Sequence, residues 1–406
     1  MRIFPLSSRP ISSPTTVHAA SHLTRTTPYA PFLQSSLSIQ GAQNPQNLIA
    51  SCLKALLLLL CAPFIWLKKC CSRQTTQSDA KFPQLITTKT IDPNAFPHNI
   101  SNPNKIFAYN TLVQGRSLGG PIDFLKYALG NKSHISSCPL QMNAHSPSIS
   151  YAQGPISYEG ASANNATDWY HNFADSSLLG YCKGSLFAQD EHQVSEFPAL
   201  YHVYEALDKP FLRYMDPNKN EICLMKNVLR LGTIDTQTPL PNGHPLYGHA
   251  FTNASYADIA SKITLSNPAQ PKNIFFCAAP RISFPAGQPY QKKHLEELFY
   301  PAFTAFFAAK QNSTNGQAVM HTGNWGAGAF GNGVKTSHLI LIAAAYAADV
   351  NARFYPLDKV AEFQAAQQLF NQIIQQNPTM SIDQFLTHLA QHAQGYGLVY
   401  GQSNGT

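Results

Sequence analysis

Residues 318–348 of this 406-residue chain read AVMHTGNWGAGAFGNGVKTSHLILIAAAYAA. A short apolar run is followed by a loop with five glycines between His321 and Gly333, and then by a long apolar run. Such a strand-to-helix turn offers unpaired backbone N–H groups at the positive end of a helix dipole, and those groups bind anions. The stretch therefore predicts a strand, an anion-binding loop and a helix that begins near Lys335.

This loop does not match the common nucleotide-binding motifs. It lacks the Gly-Lys-Ser/Thr end of a P-loop, and its glycines do not stand in the usual place of a Rossmann fingerprint. A tight turn with a purely structural role is the alternative to an anion site. Trp325 inside the loop either stacks on a ligand ring or packs beneath the backbone.

Short β-rich runs alternate with helical stretches after residue 158, which favours an α/β sandwich with a mixed sheet. One helix should start at a capping box formed by Ser381 and Gln384 and end by Gly395. Further predicted elements are strands at 273–278, 318–321 and 352–355, a short helix at 122–129 and a longer helix at 357–376.

A second cluster of polar residues lies upstream, where NFAD at 172–175 is followed by Gly180, Gly184 and QDE at 189–191. Adjacent carboxyl groups suit glycosidic chemistry, because one acid can protonate the leaving group while its neighbour orients sugar hydroxyls. Acids are also common at helix starts, where they meet the helix dipole. The pair alone therefore leaves both interpretations open.

Both clusters together resemble the catalytic domain of poly(ADP-ribose) glycohydrolases, macrodomain-fold enzymes that cut ADP-ribose linkages. The family's TGNWGCGAFGG run is similar to TGNWGAGAFG at 322–331, with Ala327 in the place of the cysteine. The family's upstream YEG, DFAN and QEE are similar to YEG at 158–160, NFAD at 172–175 and QDE at 189–191. The resemblance implies a macrodomain-like three-layer α/β/α sandwich with a mixed sheet and extra helices.

The resemblance also implies roles for individual residues. It makes Glu191 the general acid and base, gives Asp190 the distal ribose hydroxyls, and places Asp175 where the family has an asparagine near that ribose. It implies neither a metal nor a cofactor. The other residues it assigns to ADP-ribose are Asn172, Phe173, Gly180, Gln189, Tyr247, Thr322, Gly323, Asn324, Trp325, Gly326, Gly328, Ala329 and Phe330.

The chain departs from the family in the upstream loop, where a single Gly180 stands in place of three glycines. The resulting expectation is hydrolysis of the link between ADP-ribose and a protein side chain or an ADP-ribose chain. The Asp175 carboxylate favours a cationic acceptor such as arginine. The alternatives are a non-catalytic ADP-ribose-binding module tethered to a membrane, and a membrane-anchored structural protein with an unrelated α/β fold.

Composition excludes several other classes of protein. The net charge of +7 comes from residues 1–78, which hold seven Lys or Arg and no acid, while the rest of the chain is balanced. A globular part that binds nucleic acid is therefore disfavoured, because that function needs clustered cations. The eight cysteines form no CxxC pair, which argues against a zinc ribbon or a thioredoxin-type site.

The N-terminal part is predicted to be a disordered basic leader at 1–47, a hydrophobic membrane segment at 48–69 and a linker at 70–105. Residues 48–67 are long enough to cross a bilayer core of ~30 Å. The basic residues that follow this segment predict membrane association with the catalytic part in the cytosol. Organelle targeting by the leader is an alternative location, and a buried core helix is an alternative to the membrane segment. Residues 106–157 are predicted to be an accessory N-terminal part of the catalytic domain, which spans 158–395. The composition of the chain suits a bacterial effector delivered into a host cell.

Overall fold

The computed structural model describes residues 81–140, 146–160 and 165–403. The leader predicted at 1–47 and the hydrophobic segment predicted at 48–69 lie outside these residues. Within the three ranges, no helix combines the length and the apolar character that crossing a membrane requires.

Eight strands of the described chain form one mixed sheet, in the order β1-β2-β5-β6-β4-β7-β8-β3. The pairs β1–β2, β2–β5 and β5–β6 are antiparallel, whereas the pairs β6–β4, β4–β7, β7–β8 and β8–β3 are parallel. The strands are β1 Gln84–Ile91, β2 Ile122–Ala128, β3 Ile149–Tyr151, β4 Thr167–Asn172, β5 Ile222–Ile234, β6 Ile263–Phe276, β7 Ala318–Gly323 and β8 Asn351–Tyr355.

Ten α-helices of the described chain pack on the two faces of this sheet. One face carries α2, α7, α8, α9 and α10, and the other carries α1, α3, α4, α5 and α6. The helices are α1 Pro103–Val113, α2 Lys132–Ser136, α3 Gln189–Glu196, α4 Ala199–Ala206, α5 His249–Asn253, α6 Tyr256–Ser261, α7 Lys292–Gln311, α8 Val334–Ala348, α9 Val360–Gln376 and α10 Ile382–Gln391.

The two helical layers follow from the alternation of side chains along the central strands. Trp169 of β4 points into one hydrophobic core and Tyr170 into the other. Phe275 and Ile274 of β6 divide between the same two cores. Because both faces of these strands are apolar, both must be covered by helices. The mixed α/β fold predicted from the sequence is therefore confirmed.

Most predicted elements of the C-terminal half are found near their predicted places. The predicted strands at 273–278, 318–321 and 352–355 fall in β6, β7 and β8. The predicted helices correspond to α8, α9 and α10, and Ser381 and Gln384 form the expected capping box of α10. The α9 helix begins at Val360, three residues after its predicted start.

The helix predicted at 122–129 is wrong, because this segment is strand β2. Ile122 and Phe124 lie in one core while Tyr127 lies in the other, as the period of two of a strand requires. Backbone pairing with β1 on one side and β5 on the other stabilises the extended conformation. Tertiary pairing therefore overrides the helical interpretation of this short run.

The linker predicted at 70–105 does not extend that far. Strand β1 pairs antiparallel with β2, and α1 begins at Pro103 with Asn102 as its N-cap. The segment predicted as an accessory part, 106–157, contributes β2 and β3 to the common sheet. A boundary at residue 158 therefore does not divide the sheet.

The parallel half of the sheet positions a cleft. Strand β4 lies between β6 and β7, and the strand order reverses at this point. In sheets of this kind, ligands bind in the crevice outside the carboxyl ends of the strands next to the reversal. The segments that follow β4, β6, β7 and β8 meet at that edge.

Candidate active site

One cleft of about 940 Å³ lies at this edge, and both sequence clusters face it. Helix α3, which follows β4, contributes Asp190 and Glu191 to its wall. The loop after β7 contributes every residue from Gly323 to Phe330. Two stretches more than 130 residues apart in sequence therefore share one cavity, as the interpretation of a single site requires.

The start of α3 is fixed to the end of β4 by side-chain amides. Gln189 Oε1 accepts a hydrogen bond from the Phe173 backbone N–H at 2.9 Å, and Gln189 Nε2 donates to the His171 carbonyl at 3.1 Å. Asn172 Nδ2 donates to the Asp190 carbonyl at 3.2 Å. These three bonds hold the carboxylate pair directly beyond the end of β4.

Glu191 lines the cleft with a fully buried side chain. Its Oε2 accepts a hydrogen bond from the backbone N–H of Ala188 at 2.8 Å, which caps the start of α3. Its Oε1 is buried and has no hydrogen-bond partner among the described residues. Buried carboxylate oxygens are normally paired, so an unpaired one that faces a cleft is suited to a bound ligand or water.

Asp190 beside it is half-buried and carries a strongly perturbed carboxyl group. Burial and then the Glu191 charge raise the pKa of Asp190 well above its ordinary value. Two carboxyl groups in such contact retain a proton at pH values where an isolated acid has lost it. Asp190 can therefore keep a proton to donate at pH values above the ordinary range of a carboxyl group.

Tyr247 forms part of the same wall and is electrostatically coupled to the pair. Burial, Asp190 and Glu191 together raise the pKa of Tyr247 to about 12, so its hydroxyl stays protonated. A neutral phenol next to two acids can donate a hydrogen bond to a ligand oxygen.

The glycine-rich loop presents free backbone donors to the cleft. The amide N–H groups of Gly326, Gly328, Ala329 and Phe330 donate to no acceptor in the described part of the chain. Consecutive unpaired amides of this kind form a concave site for phosphate oxygens. The loop therefore has the donors that an anion needs.

The shape of this loop is held from behind by Asn332. Its backbone N–H and its Nδ2 both donate to the Gly326 carbonyl, at 3.0 and 3.2 Å. Its Oδ1 accepts from the Tyr290 hydroxyl at 2.9 Å. Gly326 itself has a φ of +69°, which residues with a Cβ rarely adopt.

Trp325 packs beneath the loop, which decides between the two alternatives left open by the sequence. Its side chain is fully buried, and its Nε1 donates to the Cys277 carbonyl at 3.0 Å. The Trp325 carbonyl accepts from Ser337 Oγ at 2.6 Å, and its ring lies 5.7 Å from the His171 ring. Trp325 thus supports the cleft floor.

His171 is a neutral, buried residue of this support. Burial lowers the pKa of His171 to about 3, and its Nδ1 is 2.8 Å from Thr322 Oγ1. Its ring stacks on Phe275 with the centroids 4.2 Å apart. His171 therefore connects β4 to β7 below the ligand-facing surface.

His171 leads to a prediction about stability at acidic pH. The unfolded chain takes up a proton below pH 6.5, whereas folded His171 does so only near pH 3, so stability is complete above 6.5 and falls as the pH drops. Between pH 7 and pH 5, the wild type should lose about 2 kcal/mol more unfolding free energy than the His171→Gln variant. Urea unfolding at both pH values measures this difference.

The control for this experiment is His244→Gln, at an exposed position. This variant should keep the pH dependence of the wild type. Equal losses in the His171→Gln variant and the wild type would show that His171 binds its proton similarly in the folded and unfolded chains.

Three predicted binding residues do not line the cleft. Asn172 and Thr322 are buried and hydrogen-bonded to neighbouring elements. Gly180 lies in a turn, where its N–H donates to the Ser177 carbonyl at 2.9 Å and where a Cβ would collide with Ser177 Oγ. Direct contact of these three with ADP-ribose stays a prediction, while Asp175 does reach the cleft.

A group of charged residues that was not predicted from the sequence lies at the far end of α3. Arg230 of β5 lies on the Tyr158 ring at 4.2 Å and pairs with Glu196 at 2.8 Å. Although burial opposes it, His192 and then Arg230 lower the pKa of Glu196. All four side chains line the cleft, and no local motif in the sequence marks Arg230 as their partner.

Arg281 is a second cleft residue that was not predicted, although its position in the sequence could have indicated it. It follows β6 by five residues and therefore falls at the ligand-binding edge of the sheet. Its guanidinium lies on the Phe330 ring at 4.7 Å, next to the free amides of the glycine-rich loop. An exposed cation in this place adds positive charge to the anion site.

The fold and the cleft define a class of protein: an α/β sandwich in which a carboxylate pair and a glycine-rich loop face one cavity. In the part of the chain that the structure describes, no group of three or more His, Cys, Asp or Glu side chains is arranged to hold a metal ion.

No protein-family model and no curated protein matches the chain. Among solved structures it is similar to poly(ADP-ribose) glycohydrolase from Thermomonospora curvata, with 13% identity and a TM-score of 0.38, over 69% of this chain and 85% of that one. It is also similar to poly(ADP-ribose) glycohydrolase from Deinococcus radiodurans in complex with ADP-ribose, with 12% identity and a TM-score of 0.34, over 70% and 94% of the two chains. What the cleft can bind therefore follows from this chain's own residues.

Proposed function

We propose that the protein is an ADP-ribosyl glycohydrolase, which binds ADP-ribose and hydrolyses its glycosidic link to a protein side chain or an ADP-ribose chain. The observation that carries this proposal is the shared cleft, in which the Asp190–Glu191 pair faces the glycine-rich loop. The pair supplies an acid and a base for glycosidic chemistry, and the loop supplies donors for a diphosphate.

In the proposed reaction, the acid pair gives its proton to the oxygen or nitrogen that leaves the anomeric carbon. The bond between that atom and the carbon breaks, and its electron pair stays with the leaving group. A water molecule then attacks the oxocarbenium-like carbon and gives one proton to the Glu191 carboxylate. The products are ADP-ribose and the unmodified side chain, so one water is consumed for each bond broken.

Other residues along the cleft would bind the remaining parts of the ligand. The free amides near Gly328 and the Arg281 guanidinium would hold the diphosphate, because both lie at the glycine-rich loop and neither donates a hydrogen bond within the described part of the chain. The neutral hydroxyl of Tyr247 would donate to a ribose or phosphate oxygen beside the acids. The cleft volume of about 940 Å³ is in the range of small-molecule sites.

The test of this function measures binding and release in the same preparation. ADP-ribose titrations by calorimetry report whether the cleft binds the product. Release assays on arginine-, glutamate- and serine-linked ADP-ribose and on the polymer report whether it cuts the link. Binding without release of any substrate would favour the alternative of a non-catalytic ADP-ribose-binding module. The departure from the family at Gly180 and the capping role of Glu191 support that alternative.

We propose that the acceptor is cationic, because Asp175 adds a carboxylate to the cleft that the acid pair lines. Its Oδ1 accepts the Ser177 N–H at 2.9 Å, and an asparagine oxygen can keep that bond. Asp175→Asn should therefore lower kcat/KM for arginine-linked ADP-ribose about tenfold and leave serine-linked release nearly unchanged. Steady-state release assays on both substrates measure the change in preference.

Asp216→Asn is the matched control for the Asp175 variant. Asp216 Oδ1 accepts the Asn218 N–H at 3.0 Å in the same kind of turn, but Asp216 does not line the cleft. This control should keep the wild-type preference. An unchanged preference in the Asp175→Asn variant would remove the proposal of a cationic acceptor.

A further inference from the structure

A lysine of the N-terminal segment lies buried behind the acid pair. Lys105 of α1 is only 1% exposed, and its Nζ donates to the Cys182 carbonyl at 2.8 Å. The same ammonium lies 6.0 Å from the centre of the Phe187 ring. Phe187 directly precedes Ala188, whose N–H holds Glu191 Oε2. Lys105 therefore lies beneath the turn that leads into the acid pair.

The helix that carries Lys105 is fixed to this turn. The backbone N–H groups of Ser101 and Asn102, just before α1, both donate to the Lys183 carbonyl, at 3.1 and 3.2 Å. Helix α1 also packs against α3, which carries the acids. The ammonium is thus held in a defined place relative to the pair.

The charges around Lys105 identify its electrostatic partner. Burial lowers the pKa of Lys105, whereas Cys182, Glu191 and Asp190 oppose that change. Burial also raises the pKa of the Cys182 thiol well above its ordinary value, so this thiol stays neutral. The negative charge that acts on the ammonium therefore belongs to the Asp190–Glu191 pair.

We propose that Lys105 is a positioning residue of the acid pair, whose buried ammonium compensates the pair's negative charge and sets the pH range in which the pair works. This proposal rests on the proposed function for its effect on catalysis. When the pair holds one proton, its charge of −1 balances the +1 of Lys105. A buried carboxylate without such compensation is costly, and it becomes neutral by binding a proton.

Lys105→Gln removes the charge but keeps a polar hydrogen-bond donor on a side chain of similar size. Without the ammonium, the carboxyl pair should bind protons more tightly. The pH profile of kcat/KM for ADP-ribose release should then move upward by about one pH unit. Lys105→Arg keeps the charge and should keep the wild-type profile. Equal shifts in both variants would overturn the proposal, since altered packing would then explain them.

A titration without substrate separates this proposal from the proposed function. In protein with ¹³C-labelled carboxyl groups, the Asp190 signal should titrate about one pH unit higher in the Lys105→Gln variant. If the wild type releases no ADP-ribose, the proposed function fails, while this titration still decides the role of Lys105. Carboxyl signals that titrate alike in both proteins would overturn that role.

The wild type alone provides a further check in case the Lys105→Gln chain does not fold. The ¹³Cε signal of Lys105 should respond at the same pH values as the carboxyl signals of the pair, because coupled groups share their titration steps. A Lys105 signal that does not change while the pair titrates would also overturn the proposal.

Discussion

Glu191→Gln should lower the rate of ADP-ribose release about 10³-fold and change the affinity for ADP-ribose less than threefold. The rate falls because an amide can neither deliver a proton to the leaving atom nor accept one from water. The affinity persists because a glutamine oxygen can still accept the Ala188 N–H and cap α3. Single-turnover release assays and calorimetric titrations at the same pH measure the two effects.

Glu297→Gln is the control for this variant, since Glu297 is a half-buried residue of α7 that lies outside the cleft. Its release rate should equal that of the wild type. If Glu191→Gln kept release within tenfold of the wild type, Glu191 would serve only as the cap of its helix. If the wild type and the Glu191→Gln variant both bound ADP-ribose but released none, the protein would be a non-catalytic ADP-ribose-binding module and not a hydrolase.

The sequence predicts the parts of this site that depend on local pattern. Five glycines identify the loop at 321–333, and the apolar runs on both sides have the lengths of a strand and a helix. The acids at 190 and 191 stand at a helix start, which local sequence also indicates. Local pattern did not show that the two stretches meet, and the resemblance supplied that expectation.

Features that depend on strand register could not be predicted in this way. Arg230 reaches Tyr158 and Glu196 only because β5 lies along β6 with two shifts in register. The segment at 122–129 is predicted as a short helix that ends at Gly130, a residue type common just after helices. Pairing with strands on both sides, which involves residues about 30 and 100 positions away, determines the outcome.

Lys105 illustrates a different limit. The proline- and asparagine-rich composition of 70–105 is typical of a linker, and it concealed both β1 and the start of α1. A single lysine in such a segment carries no sign that it will be buried. Its burial follows from the contacts of α1 with the turn at Cys182, which only the folded chain brings together.

Gly326→Ala should lower the affinity for ADP-ribose more than tenfold and the unfolding free energy by about 2–4 kcal/mol. At a φ of +69°, the added Cβ would lie 2.6 Å from Ala279 Cβ and 2.8 Å from Asn332 Nδ2. The backbone must move to relieve this contact, and the amides of the loop move with it. Calorimetric titration with ADP-ribose and urea unfolding measure the two losses.

Gly397→Ala separates backbone strain from displacement of the loop. Gly397 has a φ of +64°, but no atom of the described residues lies within 4 Å of the Cβ it would gain, and it does not line the cleft. This control should lose about 1 kcal/mol of unfolding free energy and no affinity. If Gly326→Ala bound ADP-ribose as tightly as the control does, the phosphates would have to lie elsewhere. The shared cleft would then no longer support a glycohydrolase, because its anion site is what ties the acid pair to this substrate.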